Sequence, residues 1–177
     1  MDLPQSTPSL QIWEIRKDKA DFDLWSKELG RSLLFFDGAS KGNPGAAGGG
    51  GVLFDPGGHL NLSYAWNLGS DTNNMAEALA LWQGLSQAIR LGVQELTVVG
   101  DSRMIIQHLF NRELPSSFRL KQVIRRIFIL VPLFRYIDFF HVLREFNEQA
   151  DNAANEAISL DYGVLSINGT TRVEPIP

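Results

Sequence analysis

The chain has 177 residues, 44% apolar and 10% aromatic, with 16 basic against 20 acidic side chains and a formal net charge of −4. That composition supplies one core, carries too little positive charge to coat nucleic acid by electrostatics alone, and with no cysteine excludes disulfides and thiolate metal sites. No apolar run approaches the ~20 residues of a membrane span, and Met1-Asp2-Leu3-Pro4-Gln5 lacks a secretion signal's layout, so a soluble, intracellular protein of the cytoplasm or nucleus is expected.

Residues 1–30 read as an N-terminal extension or linker, proline-bearing at first and then charged to Lys27. Its Trp13, Ile15, Phe22, Leu24 and Trp25 can dock on the domain or belong to a neighbouring one, and Gly30 marks the boundary. Ser32-Leu33-Leu34-Phe35-Phe36 then has the apolar run of a strand buried on both faces, ending at Asp37. A glycine-rich turn follows, and Gly48 to Gly51 lead into a second strand at Val52-Leu53-Phe54. Asp55-Pro56-Gly57-Gly58 turns the chain into the alternating strand that ends at Trp66.

The period changes at Thr72, which can cap a helix striped by Met75, Ala78, Leu79, Trp82, Leu85 and Ile89 and ending at Gly92. Glu95-Leu96-Thr97-Val98-Val99 is a short strand, Asp101-Ser102-Arg103 opens a helix, and Pro115-Ser116-Ser117 opens another that reaches about Leu130. A strand over Tyr136–Val142 and a last helix over 147–160 complete the domain at 31–160, leaving 161–177 as a loose C-terminal tail. This order predicts an α/β fold, one five-stranded mixed sheet with helices on both faces.

Four acids in this plan lack an ordinary partner. Three and four places from Glu77 stand Asn73, Asn74, Ala80 and Leu81; around Asp151 stand Asn147, Glu148, Ala154 and Asn155. None is a cation at salt-bridge spacing. Asp37 and Asp101 end strands, where a charge is costly without a counterion. Singly, each has a simpler use: Asp101 can cap a helix, Glu77 and Asp151 can sit at positive helix ends, and Asp37 can begin an Asx turn. Together they describe a carboxylate cluster of the kind hard divalent cations take. Two such ions roughly 4 Å apart can clamp a phosphodiester, so a metal-dependent phosphodiesterase is expected.

Four motifs carry these acids: Asp37-Gly-Ala-Ser-Lys-Gly-Asn-Pro-Gly45, Thr72-Asn-Asn-Met-Ala-Glu77, Val98-Val-Gly-Asp101-Ser and Asn147-Glu-Gln-Ala-Asp151. In this order and at these separations residues 31–160 resemble type 1 ribonuclease H. The resemblance implies a ribonuclease H-like fold and an endonuclease that cuts the RNA strand of an RNA–DNA hybrid, leaving a 3′-hydroxyl and a 5′-phosphate. Asp37, Glu77, Asp101 and Asp151 would be both catalytic residues and ligands of two Mg2+ ions, with Mn2+ as the second candidate. It also implies substrate contacts at Gly38, Asn43, Thr72, Asn73, Asn74 and Arg144, the amides reaching the minor groove where 2′-hydroxyls mark RNA. Capping by Asn73 and Asn74 and chain turning by Asn43 are the simpler uses of the same residues.

The chain departs from many family members twice. The segment His141-Val-Leu-Arg144-Glu-Phe-Asn147 is too short for the flexible loop that carries an assisting His, and Arg144 stands there instead, as in the archaeal-like branch also seen in plant proteins and retrotransposons. The basic, tryptophan-bearing protrusion is missing too, and the helix with Arg119, Lys121, Arg125 and Arg126 can replace it or simply present a solvated face. The extra segments at both ends fit the ribonuclease H portion of a reverse-transcribing element with an adjoining reverse transcriptase domain, itself a monomer. The competing expectations are a catalytically weak or inactive nucleic-acid-binding scaffold of the same fold and another superfamily nuclease, an exonuclease or junction resolvase.

Overall fold

The structure, a computed structural model, describes residues 11–13 and 19–177. Its centre follows the predicted plan. Strands β2 (Ser32–Lys41), β3 (Gly45–Phe54) and β4 (Leu60–Asp71) form an antiparallel meander, and α2 (Asn73–Arg90) leads to β5 (Glu95–Gly100). Helices α3 (Arg103–Asn111) and α4 (Phe118–Leu130) lead to β6 (Tyr136–Val142), and α5 (Glu148–Ile158) follows. Because β2, β5 and β6 are parallel, their C-terminal ends share one edge of the sheet.

The sheet is wider than five strands. Strand β1 (Gln11–Trp13) adds parallel to β6, while β7 (Val164–Ile167) and β8 (Thr170–Val173) extend the other side, giving the order β1-β6-β5-β2-β3-β4-β7-β8. The loose tail expected past residue 160 is therefore a hairpin, turned at Asn168-Gly169 with φ of 51° and 86°. Asn168 also accepts, at Oδ1, a hydrogen bond from the Ser63 N–H at 2.8 Å, tying the hairpin to β4.

Two apolar layers flank the sheet. On one face Leu34 and Phe36 pack with Leu79 of α2, Ile105 of α3 and Ile124 of α4. On the other Leu33, Phe35, Val99, Phe140 and Val142 pack with Phe146 and with Phe22 of α1 (Lys19–Glu28). Of the extension residues predicted to dock, Phe22 and Trp25 do so and Leu24 is exposed. Ile15 and the side chain of Trp13 lie outside the described residues.

Two expectations fail at the glycines. Asp37 does not end its strand, since β2 runs on to Lys41 and the turn is confined to Gly42-Asn43-Pro44. Gly48 to Gly51 lie inside β3 rather than before it. The reason is helix approach: a Cβ on Gly50 would come 2.7 Å from the backbone of Ala153 in α5, and one on Gly49 would come 3.0 Å from Ala80 Cβ in α2. A strand without side chains lets two helices lie close on its opposite faces.

Candidate active site

The acids meet at the shared strand edge. Asp37, 4% exposed, directly follows the Phe36–Gly100 pair that joins β2 to β5, and Asp101 directly follows Gly100, so parallel register sets the two acids abreast. Glu77, 9% exposed, arrives from the second turn of α2. Gly38 makes that approach feasible, because a Cβ there would overlap the backbone of Ala76 and Glu77. Carboxylate oxygens of Asp37, Glu77 and Asp101 lie within 4.8 Å of one another. Asp151, in the first turn of α5, is near enough for its charge to act on Asp37 and Asp101, and it accepts from Asn155 Nδ2 at 3.2 Å. Asp37, Glu77 and Asp101 are thus brought into one cluster, with Asp151 acting on it from α5.

Burial sets the electrostatics. It pushes Asp37 up to about 7; the hydrogen bond from Glu77 works the other way, and the charges of Asp101 and Asp151 add to the rise. Glu77 is driven well above the ordinary carboxyl range, by burial first and by the charge of Asp37 next. Glu77 Oε2 is buried and has no hydrogen-bond partner among the described residues. Asp101 is raised as well, burial outweighing the pull of Arg144, whose Nε lies 3.9 Å from Asp101 Oδ2 on a side chain 86% exposed. Converging carboxylates with a spare buried oxygen and a shared repulsion fit a hard divalent cation with oxygen ligands.

Two of the simpler uses fail. The N-cap of α3 is Ser102, whose Oγ accepts from the Ile105 N–H at 3.4 Å, so Asp101 is not the cap. Asp37 accepts from the Gly38 N–H at 2.9 Å, but within a continuing strand and not in a turn. Asp151 does lie at the positive end of α5.

Around the acids, Asn43 Oδ1 accepts from the Asn73 N–H at 2.9 Å, linking the glycine turn to the start of α2, and Asn43, Asn73 and Asn74 are all exposed. Thr72 caps α2 by accepting from the Met75 N–H at 3.2 Å. Sequence reasoning assigned no role to two further supports. Asn147, 1% exposed, donates from Nδ2 to the Phe36 carbonyl at 2.9 Å, fixing the start of α5 one residue before Asp37. Asp71 takes both Nη atoms of Arg119, at 3.1 and 2.7 Å, and accepts from the Thr72 N–H, so Arg119 of the basic helix is engaged in holding the start of α2. The signal for Asn147 was its place at a helix start; for Asp71 and Arg119, 48 positions apart, there was none.

Comparison with known proteins follows the same outline. A family model described as reverse transcriptase-like matches residues 35–157. A ribonuclease HI of Halobacterium salinarum is 36% identical over 129 residues, covering 73% of this chain and 65% of that protein. A bifunctional protein of Mycobacterium tuberculosis is 34% identical over 123 residues, or 69% of this chain and 34% of its own length. The chain therefore spans less than two thirds of either curated relative. Among solved structures, the ribonuclease H1 of Halobacterium salinarum superposes with a TM-score of 0.69 at 35% identity, covering 72% of this chain and 97% of that one. The LC11 ribonuclease H1 in complex with an RNA/DNA hybrid gives 0.68 at 30% identity, covering 72% and 96%. Fold, acidic cluster and matched segment agree: the chain belongs to the ribonuclease H family.

Proposed function

We propose that the chain is a divalent-cation-dependent endonuclease that hydrolyses the RNA strand of RNA–DNA hybrids and leaves a 5′-phosphate. The observation that carries this reading is the meeting of Asp37, Glu77 and Asp101 within 4.8 Å, beside exposed amides on a turn and a helix start. The four carboxylates would hold two Mg2+ ions, Mn2+ serving as the alternative. Bound cations supply Lewis acidity toward the attacking water and the leaving oxygen.

The chain's own groups do the rest. Asn43, Asn73 and Asn74 offer amides to the minor groove, where 2′-hydroxyls distinguish RNA. Thr72, whose Oγ accepts from Met75, keeps its O–H free to donate to a phosphate. Gly38 serves by admitting Glu77 beside Asp37. Arg144 sets a positive charge at the rim, facing the phosphate that the acids alone would repel. A solved relative in complex with an RNA/DNA hybrid supports the substrate class.

The test uses labelled hybrid, duplex DNA and duplex RNA, with and without magnesium, on the unsubstituted chain and on Asp101→Asn. Cation-dependent cutting of hybrid by the unsubstituted chain alone is expected; equal cutting of duplex DNA, or cutting that survives chelation, would overturn the proposal. For the amides, Asn43→Ala should raise KM for hybrid more than it weakens cation binding, and an unchanged KM would remove Asn43 from the contact set.

The wider context we propose is the ribonuclease H portion of a reverse-transcribing polypeptide, supported by the family description and by the one-third share of the mycobacterial relative that the chain spans. Among the described residues no helix is long and apolar enough to cross a membrane.

A further inference from the structure

Helix α1 lies ahead of residues 35–157, the segment the family model matches, yet it forms part of the buried wall behind the acids. Phe22 of α1, 2% exposed, stacks on Phe146 with ring centroids 5.0 Å and planes 18° apart, and meets Phe35 edge-on at 6.0 Å. Phe146 belongs to the single 3₁₀ turn Arg144–Phe146 in the short connection from β6 to α5.

That connection touches two of the four acids, Asp101 and Asp151, and the residue before a third, Asp37. Arg144 reaches Asp101 at 3.9 Å. Asn147 donates to the Phe36 carbonyl next to Asp37, and its own carbonyl accepts from the Asp151 N–H at 3.0 Å. A cleft of about 400 Å³, lined by Phe22, Phe35, Phe54 and Phe146, opens between α1 and the start of α5. Both rings of the Phe22–Phe146 pair line this cleft, so the pair ties α1 to the turn that precedes α5.

We infer that Phe22 is a positioning residue: α1 clamps residues 143–147 through Phe146 and thereby sets where Arg144 and Asp151 stand relative to Asp37 and Asp101. Its effect on rate rests on the hybrid-nuclease reading; the clamp itself does not. A near-parallel ring pair has a preferred geometry as well as apolar area, so it can hold an orientation that a merely greasy contact would not.

The test compares Phe22→Ala and Phe22→Leu with Leu29→Ala, a control just past α1 that packs on the same apolar layer, since the Trp25 ring lies 5.5 Å from Phe22 itself. Amide hydrogen exchange, melting temperature, and kcat and KM on hybrid are read for each. In both Phe22 variants exchange over 143–147 should quicken while β2 and β5 keep their protection; Phe22→Leu, which retains apolar volume, should do so with the smaller loss of melting temperature. In Phe22→Ala, kcat should fall about 10-fold to 100-fold with KM nearly constant, the scale of a small misplacement of reacting groups. In an Arg144→Ala background the same substitution should cost only about threefold, because part of the route has gone. Leu29→Ala should lower the melting temperature without quickening exchange at 143–147. Unchanged exchange there in both Phe22 variants would overturn the clamp, as would equal rate losses in Leu29→Ala and Phe22→Ala. If the unsubstituted chain cuts no hybrid, the nuclease reading falls and the exchange comparison alone decides the clamp.

Discussion

Asp37 and Asp138 are both nearly inaccessible acids on one face of one sheet, and they serve opposite ends. Asp138 of β6 is level with Thr97 of β5 and Leu33 of β2. Asp37 stands four residues farther along β2, about 13 Å at the usual strand rise. Between the two levels runs the apolar row Phe35, Val99 and Phe140. Asp138 accepts from Arg31 Nη1 at 3.3 Å and from Tyr136 Oη at 3.0 Å, and the Arg31 guanidinium lies 4.5 Å from the Tyr136 ring centroid. Asp37 meets other acids instead. Burial raises both carboxyls, so burial alone does not mark a site. The sign of the neighbours does: a cation and a phenol make a structural acid, whereas three more carboxylates make a place for something from outside.

The contrast breaks most visibly on substitution. Asp37→Asn should cost about a thousandfold or more in hybrid cleavage, the scale of losing one member of a cooperative set, while raising the melting temperature of the cation-free chain by removing a repulsive buried charge. A lowered melting temperature would mean that Asp37 has a structural partner after all.

The pH dependence comes next. With a folded-state value of about 7 against an ordinary 3.8, Asp37 binds its proton more tightly folded than unfolded, so its contribution favours the fold at low pH and fades as pH rises toward 7. Cation-free melting temperatures should therefore fall by several degrees between about pH 5 and about pH 8, and magnesium should restore them at the higher pH. A flat cation-free profile would show that the cluster is not self-repelling.

Asp138→Ala should do the reverse of Asp37→Asn. It should cost about 2–3 kcal/mol in chemical denaturation, somewhat less than a fully buried pair because the Arg31 side chain is 25% exposed, and leave cleavage nearly unchanged. Lost cleavage at unchanged stability would place Asp138 in the site. Asp71 is the intermediate case, a buried acid whose partner Arg119 is 64% exposed. Arg119→Ala should cost about 1 kcal/mol or less, and a larger loss would move Asp71 toward the structural class.

The same pair shows what the sequence could say. Testing acids for a cation at helical spacing identifies Glu77 and Asp151, because helix contacts are local. It says nothing about Asp138, whose partner Arg31 is 107 positions away, and a reader of the sequence passes over it inside Tyr136–Val142. The strands β2, β4, β5 and β6 and the helices α2 to α5 were legible from their periods. The hairpin β7–β8 was not, since β8 is exposed along its length and has no buried face to alternate. The glycines of β3 were read as a lead-in to the strand because glycine's signal in a sequence is local, whereas their use, admitting α2 and α5, depends on distant packing. Asn147 looked like a helix start and proved to be a tie between α5 and β2.

The bare stretch of β3 also fixes how this chain can vary in length. Four identical residues in succession contain no internal landmark, so their alignment with β2 and β4 is dictated by what flanks them: Val52 pointing into one apolar layer, Leu53 into the other, and the irregularity at Ala47/Gly48. Adding or removing a single glycine there would turn Val52 and Leu53 to the wrong sides while leaving the stretch itself unchanged in character. Point changes elsewhere in the sheet can be absorbed by repacking, but an odd-numbered gap in this segment cannot.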